Sequence, residues 1–416
     1  MLDDILNNQV DFGYEFKEIP EGNTIINSKS AEKFPDLSQA FSRESKQNVA
    51  DSKDKDLSEP PIIKFKTLKI KKSKIISNYF GKNLKKHLES YTDENLDLLN
   101  KEDDLDFLIF EDFNTTGILG ETNQLRQERN NGERNCWFSF VWYLGNIGKG
   151  SSGEDGGSEG EGRQVFSYVS KIRSFFFLTI RKDDPNNKLL MGLSFLSPHE
   201  IAGKSYEGIG RWGVTGKSDN GNNISLPLSY IENKEQNLLN NSKIIDYIES
   251  ELKLERGWKI GTSVIVPFYN SNILTEEKLI IDTIDQYKVP ILLGKLKVQI
   301  NDIELNKDNI RAYIAENLNS IKNYKPNQII NFLDFIEETT KINDEDVIKV
   351  KTNINERTIT SQNFNQDELS NCRKKFEEGK VLKFYIPFSV IEKIKDSNGV
   401  RFETKKTFFY LSVKKT

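Results

Sequence analysis

From Gly145 to Gly162 the chain reads GNIGKGSSGEDGGSEGEG, with eight glycines in 18 positions. At Arg163-Gln164-Val165-Phe166 it turns at once into a helical pattern that Val169 and Ile172 continue. A flexible linker would explain the composition. A linker has no need to open directly into a helix, however, and the pattern predicts strands at Phe175 to Ile180 and Leu189 to Phe195 just beyond. Glycine amides and helix-start amides can donate to anionic oxygens with no side chain in the way, so the arrangement suits a phosphate. The common phosphate patterns do not fit. A P-loop fails because Gly148-Lys149 is followed by Gly150 and Tyr143 stands at the first glycine position. The dinucleotide fingerprint and the kinase glycine loop fail because Val165 stands where their third glycine is needed. What remains is Gly157-x-x-Gly160-x-Gly162 before a helix.

Composition narrows the chemistry further. The 416 residues allow two or three domains. With 59 basic and 63 acidic residues the net charge is −4, which argues against a generally basic nucleic-acid binder. Two cysteines, Cys136 and Cys372, and two histidines, His87 and His199, are too few for a Cys/His zinc site or a disulfide framework. His87 lies in a lysine-rich helical stretch and reads as a surface histidine. His199 follows Ser197-Pro198 and reads as structural, and no Gly-x-Ser-x-Gly elbow accompanies either one. Carboxylates, amides and glycines must carry any catalysis. Met1-Leu2-Asp3-Asp4 is acidic where a signal peptide is basic, and no apolar run approaches a membrane span, so a soluble, cytoplasmic protein is expected.

Ala31 to Asp51 fits a helix in which Leu37, Ala40 and Phe41 begin an apolar stripe. The same stripe continues as Glu44, Asn48 and Asp51. Either the helix frays into solvent there, or a carboxylate and an amide are held together over a pocket. Pro61 to Ile70 reads as a strand with lysines on one face, followed by a basic helix whose lysines read as a solvated face in preference to a phosphate contact. Asp106 to Phe110 is a short apolar strand ending in Glu111-Asp112, and Cys136 to Leu144 is aromatic and strand-like. Asp219 to Asn241 is polar and loop-like, a helix is predicted from about Lys243 to Leu254, and Gly261-Thr262 opens a strand over Ser263 to Phe268. Beyond about residue 270 the glycine-rich elements stop. Helices at Asp308 to Ile321, Pro326 to Thr340 and Asp367 to Glu378 alternate there with strands at Val381 to Val390 and Val400 to Val413.

The order of these motifs resembles the GHKL ATPases, the Bergerat-fold family of gyrase, heat-shock chaperones, histidine kinases and MutL. Glu44-x-x-x-Asn48-x-x-Asp51 matches its N-terminal helix, and Glu111-Asp112-Phe113-Asn114-Thr115-Thr116-Gly117 its strand-end Asp and glycine turn. Gly157, Gly160 and Gly162 match its phosphate loop, and Gly261-Thr262 the Gly-Thr pair of a later strand. The resemblance covers roughly residues 30 to 270 and is closest to a poorly characterised bacterial branch found near defence or restriction loci. Three positions depart from the pattern: Asn114 stands where glycine is usual, Ser52 replaces alanine, and Glu161 adds a negative charge to the phosphate loop.

The resemblance implies an α+β chain. A Bergerat-fold sandwich over residues 1–270, with a mixed sheet and helices on one face, would have its lid at about 118–156. A smaller α+β, transducer-like domain would follow over 271–416. It implies ATP and Mg2+ as ligands. Glu44 would orient or deprotonate the attacking water, and Asn48 would complete the magnesium shell. Asp112 would accept from the adenine amino group, with Thr262 in support. Asp51, Thr116, Gly117, Gly157, Gly160, Gly162, Arg163 and Gly261 would complete the ATP site. Taken singly, each also has a structural reading: a solvated helix pair, a strand-end cap, a turn, a bulge. The implied function is magnesium-dependent ATP hydrolysis driving lid closure and homodimerisation, with partner proteins of a bacterial defence or DNA-transaction system. The alternative is a nucleotide-responsive interaction module without hydrolysis, with Lys64 to Lys86 as its contact surface for protein or nucleic-acid partners. The apolar run Phe408 to Val413 is of the kind found inside a sheet, and members of that branch often continue further, so a shorter version or a piece of a longer chain is expected.

Overall fold

The computed structural model describes residues 12–20, 36–71, 83–91, 104–129, 131–143, 162–231, 241–319, 321, 324–351, 358–396 and 399–415. The chain divides into two compact units, one carrying the described residues through Asn306 and one beginning at Lys307.

The first unit is built on a large mixed sheet. Its strands, in chain order, are β1 (Phe12–Glu18), β2 (Ile62–Ile70), β3 (Leu105–Phe113), β4 (Ser174–Arg181), β5 (Asp184–Phe195), β6 (His199–Ile201), β7 (Lys204–Lys217), β8 (Asn223–Leu226), β9 (Leu228–Ser229), β10 (Gly261–Pro267), β11 (Lys297–Ile300) and β12 (Ile303–Leu305). The spatial order is β1-β7-β5-β4-β10-β3-β2-β11-β12, with β6 and β8 on β7 and β9 on β5. All described pairings within this sheet are antiparallel except β11 with β2, so the α+β class with a mixed sheet holds.

Both faces of the sheet are covered, because the central strands are apolar at successive positions and side chains alternate between faces. In β3, Phe107 and Ile109 point one way, packing with Phe176 and Leu178 of β4, Ile265 of β10, and Ile244, Ile245 and Ile248 of a helix at Asn241–Glu251. Leu84 and Leu88 of a helix at Leu84–Tyr91 join the same cluster. The opposite face carries helices at Leu37–Asp51, Gln164–Tyr168 and Glu276–Leu292. There the Phe41 ring lies 5.8 Å from Phe65 and 5.6 Å from Phe166, and Phe166 lies 5.7 Å from Phe110 of β3. The expectation of helices on a single face is therefore refined: a second helical layer covers the other side. In chain order the helices of this unit are α1 (Leu37–Asp51), α2 (Leu84–Tyr91), α3 (Cys136–Val141), α4 (Gln164–Tyr168), α5 (Asn241–Glu251) and α6 (Glu276–Leu292).

Three local expectations change. Cys136 to Leu144 reads as a strand, yet α3 forms over Cys136–Val141, because Asn135 accepts from the Phe138 amide at 3.1 Å and so starts a helix. The polar stretch after Asp219 contains β8 and β9, which pair with β7 and β5. His87 is buried and not on the surface. Its Nδ1 lies 2.6 Å from His199 Nε2, and its ring stacks on Phe16 at 4.0 Å.

The second unit holds α7 (Ile310–Asn317), α8 (Pro326–Thr340), α9 (Gln366–Glu377) and a three-stranded sheet of β13 (Ile348–Lys349), β14 (Leu382–Asp396) and β15 (Gly399–Val413). Arg311 ties α7 to α8 through Asp334 at 3.0 Å and Glu337 at 2.5 Å. No helix among the described residues is long and apolar enough to cross a membrane.

Candidate active site

The site assembles where the ends of β3 and β10 meet the C-terminal half of α1. Asp112 closes β3, directly across the ladder from Ile63 of β2, and is 6% exposed. Its Oδ1 accepts from the Thr262 amide at 3.0 Å and from the Thr115 hydroxyl. Its Oδ2 takes no hydrogen bond from any described residue. Burial pushes the Asp112 carboxyl up from the ordinary carboxylate range; the Arg256 charge, the Thr115 hydroxyl and the Thr262 amide oppose that rise.

Gly261 makes the close approach of β10 feasible. Its φ is +137°, and a Cβ there would lie 2.5 Å from the Asp112 carbonyl oxygen and 2.7 Å from Oδ1. Only glycine fits a backbone packed this tightly against the carboxylate. The Thr262 hydroxyl lies 3.2 Å from the Thr179 hydroxyl of β4, and the latter also donates to the Gly261 carbonyl at 3.1 Å. Thr262 thus supports Asp112 through its backbone amide, while its side chain locks β10 to β4.

After Asp112 the chain turns through Asn114 at φ +62° and Gly117 at φ +67°. Asparagine tolerates this left-handed backbone better than most residues, which accounts for its standing in a glycine position. Asn114 Nδ2 donates to the Pro60 carbonyl at 2.8 Å. The Thr116 amide donates to Ser52 O at 2.9 Å and the Asp54 amide to Asn114 O at 3.1 Å, joining the end of α1 to the turn.

On α1, Glu44 is buried at 7% exposure, and its Oε1 accepts from Arg43 Nε at 3.1 Å. A Cβ added at Gly162 would collide with the Glu44 carboxylate, so the glycine ahead of α4 is what lets the backbone at that point lie against the acid. Asn48, one turn further along α1, is exposed. Asp51 ends α1, but its side chain lies outside the described residues, as do Gly157 and Gly160. The segment from Ile118 to Tyr143, apart from residue 130, is described and is fastened to the β4–β5 hairpin: Arg129 pairs with Asp183, and Gly120 N donates to Asp183 Oδ2 at 3.1 Å. Residues 144–161 lie outside the described set.

Arg163 stands at the start of α4. Its guanidinium is buried and donates to the Ser139 and Tyr143 carbonyls, closing the C-terminal end of α3. Burial pulls its pKa down to about 9, and the nearby Arg211 charge adds to the effect.

The structure therefore brings Asp112, Thr116, Gly117, Gly261 and Thr262 together at the strand ends, and Glu44 against Gly162. Sequence reasoning missed Thr115 and Thr179, whose hydroxyls complete the Asp112 and Thr262 contacts, and Arg256, which is fully buried beside them. A threonine three residues after a strand-end Asp was a legible cue for the first. Nothing in Leu254-Glu255-Arg256-Gly257-Trp258 signals burial.

No family model matches the sequence. No curated protein matches it either. Among solved structures the chain is similar to the ATPase region of Saccharomyces cerevisiae topoisomerase II bound to ICRF-187 (dexrazoxane), at 10% identity and a TM-score of 0.28, over 74% of this chain and 62% of that one. It is likewise similar to the ATPase and transducer domains of DNA topoisomerase II from Balamuthia mandrillaris, at 10% identity and a TM-score of 0.28, over 70% of this chain and 55% of that one. A further structure of the yeast ATPase region matches at 10% identity and a TM-score of 0.28, over 76% and 64%. The chain thus spans less than two thirds of the length of each.

Proposed function

We propose that the first unit binds ATP with magnesium and hydrolyses it, using the Asp112 carboxylate to select adenine. The observation that carries this reading is the state of Asp112: buried at a strand end, with Oδ1 held by two donors, Oδ2 without a described partner, and β10 brought against it at a glycine that a larger residue could replace only with strain. A carboxylate oxygen aimed in this way accepts a base amino group, and a base lacking that donor leaves it unpaired at high cost.

The donor set also fits magnesium. Asn48 is an exposed amide one turn from Glu44, and magnesium bound with a triphosphate needs few protein ligands, since phosphate oxygens and waters complete its octahedron. Among the described residues no cluster of three His, Cys, Asp or Glu side chains offers a stand-alone metal cage, so Asn48 would hold the ion jointly with the nucleotide. When bound, magnesium supplies neutralisation of phosphate charge. The chain's own residues do the rest. Asp112 and Thr262 fix the base, Gly162 lets the loop backbone approach the phosphates, and Glu44 accepts a proton from, or orients, the attacking water.

Hydrolysis of this kind would serve as a conformational switch through the segment after Ile118, with ATP-dependent homodimerisation. Its use in bacterial defence or a DNA transaction extends the proposal on the family resemblance alone, and the neighbouring genes would test that part. The biochemical core is tested by ATP binding and phosphate release on wild type, Asp112→Asn and Glu44→Ala. We expect Asp112→Asn to weaken binding, and Glu44→Ala to keep binding while losing turnover. Unchanged turnover in Glu44→Ala sinks the catalytic assignment. Wild type that binds ATP and never releases phosphate leaves the nucleotide-responsive module in its place.

A further inference from the structure

Beside the Asp112 turn lies a buried charged cluster to which the proposed reading assigns no task. Arg256 has no exposed surface. Its Nε donates to Ser263 Oγ at 3.0 Å, its Nη2 to the Thr262 carbonyl at 2.6 Å and its Nη1 to the Ile260 carbonyl at 3.3 Å. The guanidinium sits over the Phe113 ring, 4.5 Å from its centroid. Ser263 Oγ in turn donates to Glu111 Oε1 at 2.7 Å, and Glu111 Oε2 accepts from the Glu255 amide at 2.8 Å. One point in space, the place a Cβ would occupy on Gly261, is 2.5 Å from Arg256 Nη1 and 2.7 Å from Asp112 Oδ1. The arginine therefore grips the carbonyl of the residue whose amide holds Asp112, and brings a full positive charge beside that carboxylate. Burying a guanidinium is costly, and a plain strand end could be tied down by neutral side chains.

We propose that Arg256 is a positioning residue for base recognition: it fixes the Gly261-Thr262 backbone against Asp112 and keeps the Asp112 carboxylate in its hydrogen-bond-accepting, ionised form. The inference rests on the reading of Asp112 as the group that meets the base. The charges around the pair support it. Burial raises the Asp112 pKa, and Arg256 is first among the groups that oppose the rise, while Glu111 adds to it. Arg256 is itself pulled down by burial and pushed back up by Asp112, Glu111 and, on α5, Glu249. Glu249 is paired with Lys188 of β5. Lys64 of β2 pairs with Glu255 at 2.5 Å, and Lys259 Nζ lies 5.3 Å from the centroid of the Phe113 ring. Arg256 alone among these cations hydrogen-bonds the β10 backbone that holds Asp112.

The test is the pH dependence of ATP affinity, followed by calorimetry over about pH 5–9, on which the upward shift of the Asp112 carboxyl bears. Four proteins are compared: wild type, Arg256→Gln, Arg256→Lys and Glu111→Gln. In Arg256→Gln the acid limb of the affinity profile should move to higher pH. Binding near neutrality should fall on the order of tenfold, the scale of a charged hydrogen bond, and recover as pH rises. Arg256→Lys keeps the charge and should bring the limb back toward wild type even where overall affinity stays lower. Glu111→Gln removes a negative charge and should move the limb the opposite way, which carries the test should Arg256→Gln not fold. Profiles of the folded variants that superpose on wild type after scaling for overall affinity overturn the inference while leaving the proposed function standing. Wild type that binds no ATP at all overturns both.

Discussion

Gly261 offers the sharpest test of how the site is built. Replacing it with alanine imposes two separate costs. The backbone at φ +137° lies in a region that L side chains rarely adopt, which costs about 1–3 kcal/mol. The new methyl would also stand 2.5 Å from the Asp112 carbonyl oxygen and 2.5 Å from Arg256 Nη1. Neither atom can yield cheaply, since the carbonyl is backbone and the guanidinium is held by hydrogen bonds to Ser263 and Thr262. Overpacking of this sort adds about 1–3 kcal/mol. Taking about 3 kcal/mol as the sum, and about 2–4 °C per kcal/mol for a unit of this size, the unfolding transition of the first unit should fall by about 6–12 °C. The strain acts between β10 and Asp112, so ATP affinity should drop well below the melting transition, at a temperature where circular dichroism still reports native structure. Both measurements are made on one purified Gly261→Ala protein. A variant that melts with wild type and binds ATP as wild type does would refute the close approach of β10 to Asp112, and with it the geometry on which base selection depends.

Further outcomes follow from the helix that carries Glu44. Asn48→Ala should leave thermal stability within about 0.5 kcal/mol of wild type, because Asn48 is exposed, while abolishing the gain in ATP affinity on adding magnesium; a retained magnesium effect in titration calorimetry would exclude it as a ligand. Lys46 is fully buried, its Nζ donating to Ser42 Oγ at 2.5 Å, and burial lowers its pKa from 10.5 to about 7 despite the Asp282 charge. Between that value and its unfolded one the unfolded chain binds the extra proton, so stability rises with pH from about 7 to about 10.5. Lys46→Met should flatten that slope in denaturant melts and raise stability on the acid side, where the charged amine is carried at a cost.

The elements that sequence patterning placed well are those with a long period and a clear end. Pro326 starts α8 as proline at a first helical position should, and Gly261-Thr262 begins β10. The acidic pair at the end of β3 was legible because an apolar run stops there at Glu111-Asp112. What remained hidden depends on contacts between distant segments. An aromatic run, Cys136-Trp137-Phe138-Ser139-Phe140-Val141, carries a strand signal by composition. One side-chain cap at Asn135 and burial of Trp137 and Val141 turn it into a helix. His87 was read from the lysines around it, yet the helix turns that residue inward onto Phe16 and His199, a packing that no local window contains. Arg256 was invisible for the same reason: an arginine between Glu255 and Gly257 carries no local burial signal, and its partners include Phe113 of β3 and Thr262 and Ser263 of β10.

The adjacent residues Glu111 and Asp112 explain why one strand end can hold both a framework and a binding group. Successive positions on a strand face opposite ways. Glu111 meets Ser263 and the Glu255 amide on the side of the sheet where α5 packs, while Asp112 meets Thr115 on the side where α1 packs. The first spends both carboxylate oxygens on the scaffold, and the second spends only one. Arg256 lies at the end of β10, where it reaches the Thr262 carbonyl and Ser263 together, so the charge that stabilises Glu111 on one side also bears on Asp112 on the other. A single buried cation serving two carboxylates in unequal degree leaves the less satisfied one free to bind. The same arrangement makes the two acids non-equivalent to mutation: neutralising Glu111 alters what Asp112 holds, whereas neutralising Asp112 leaves the Glu111–Ser263–Arg256 tie in place.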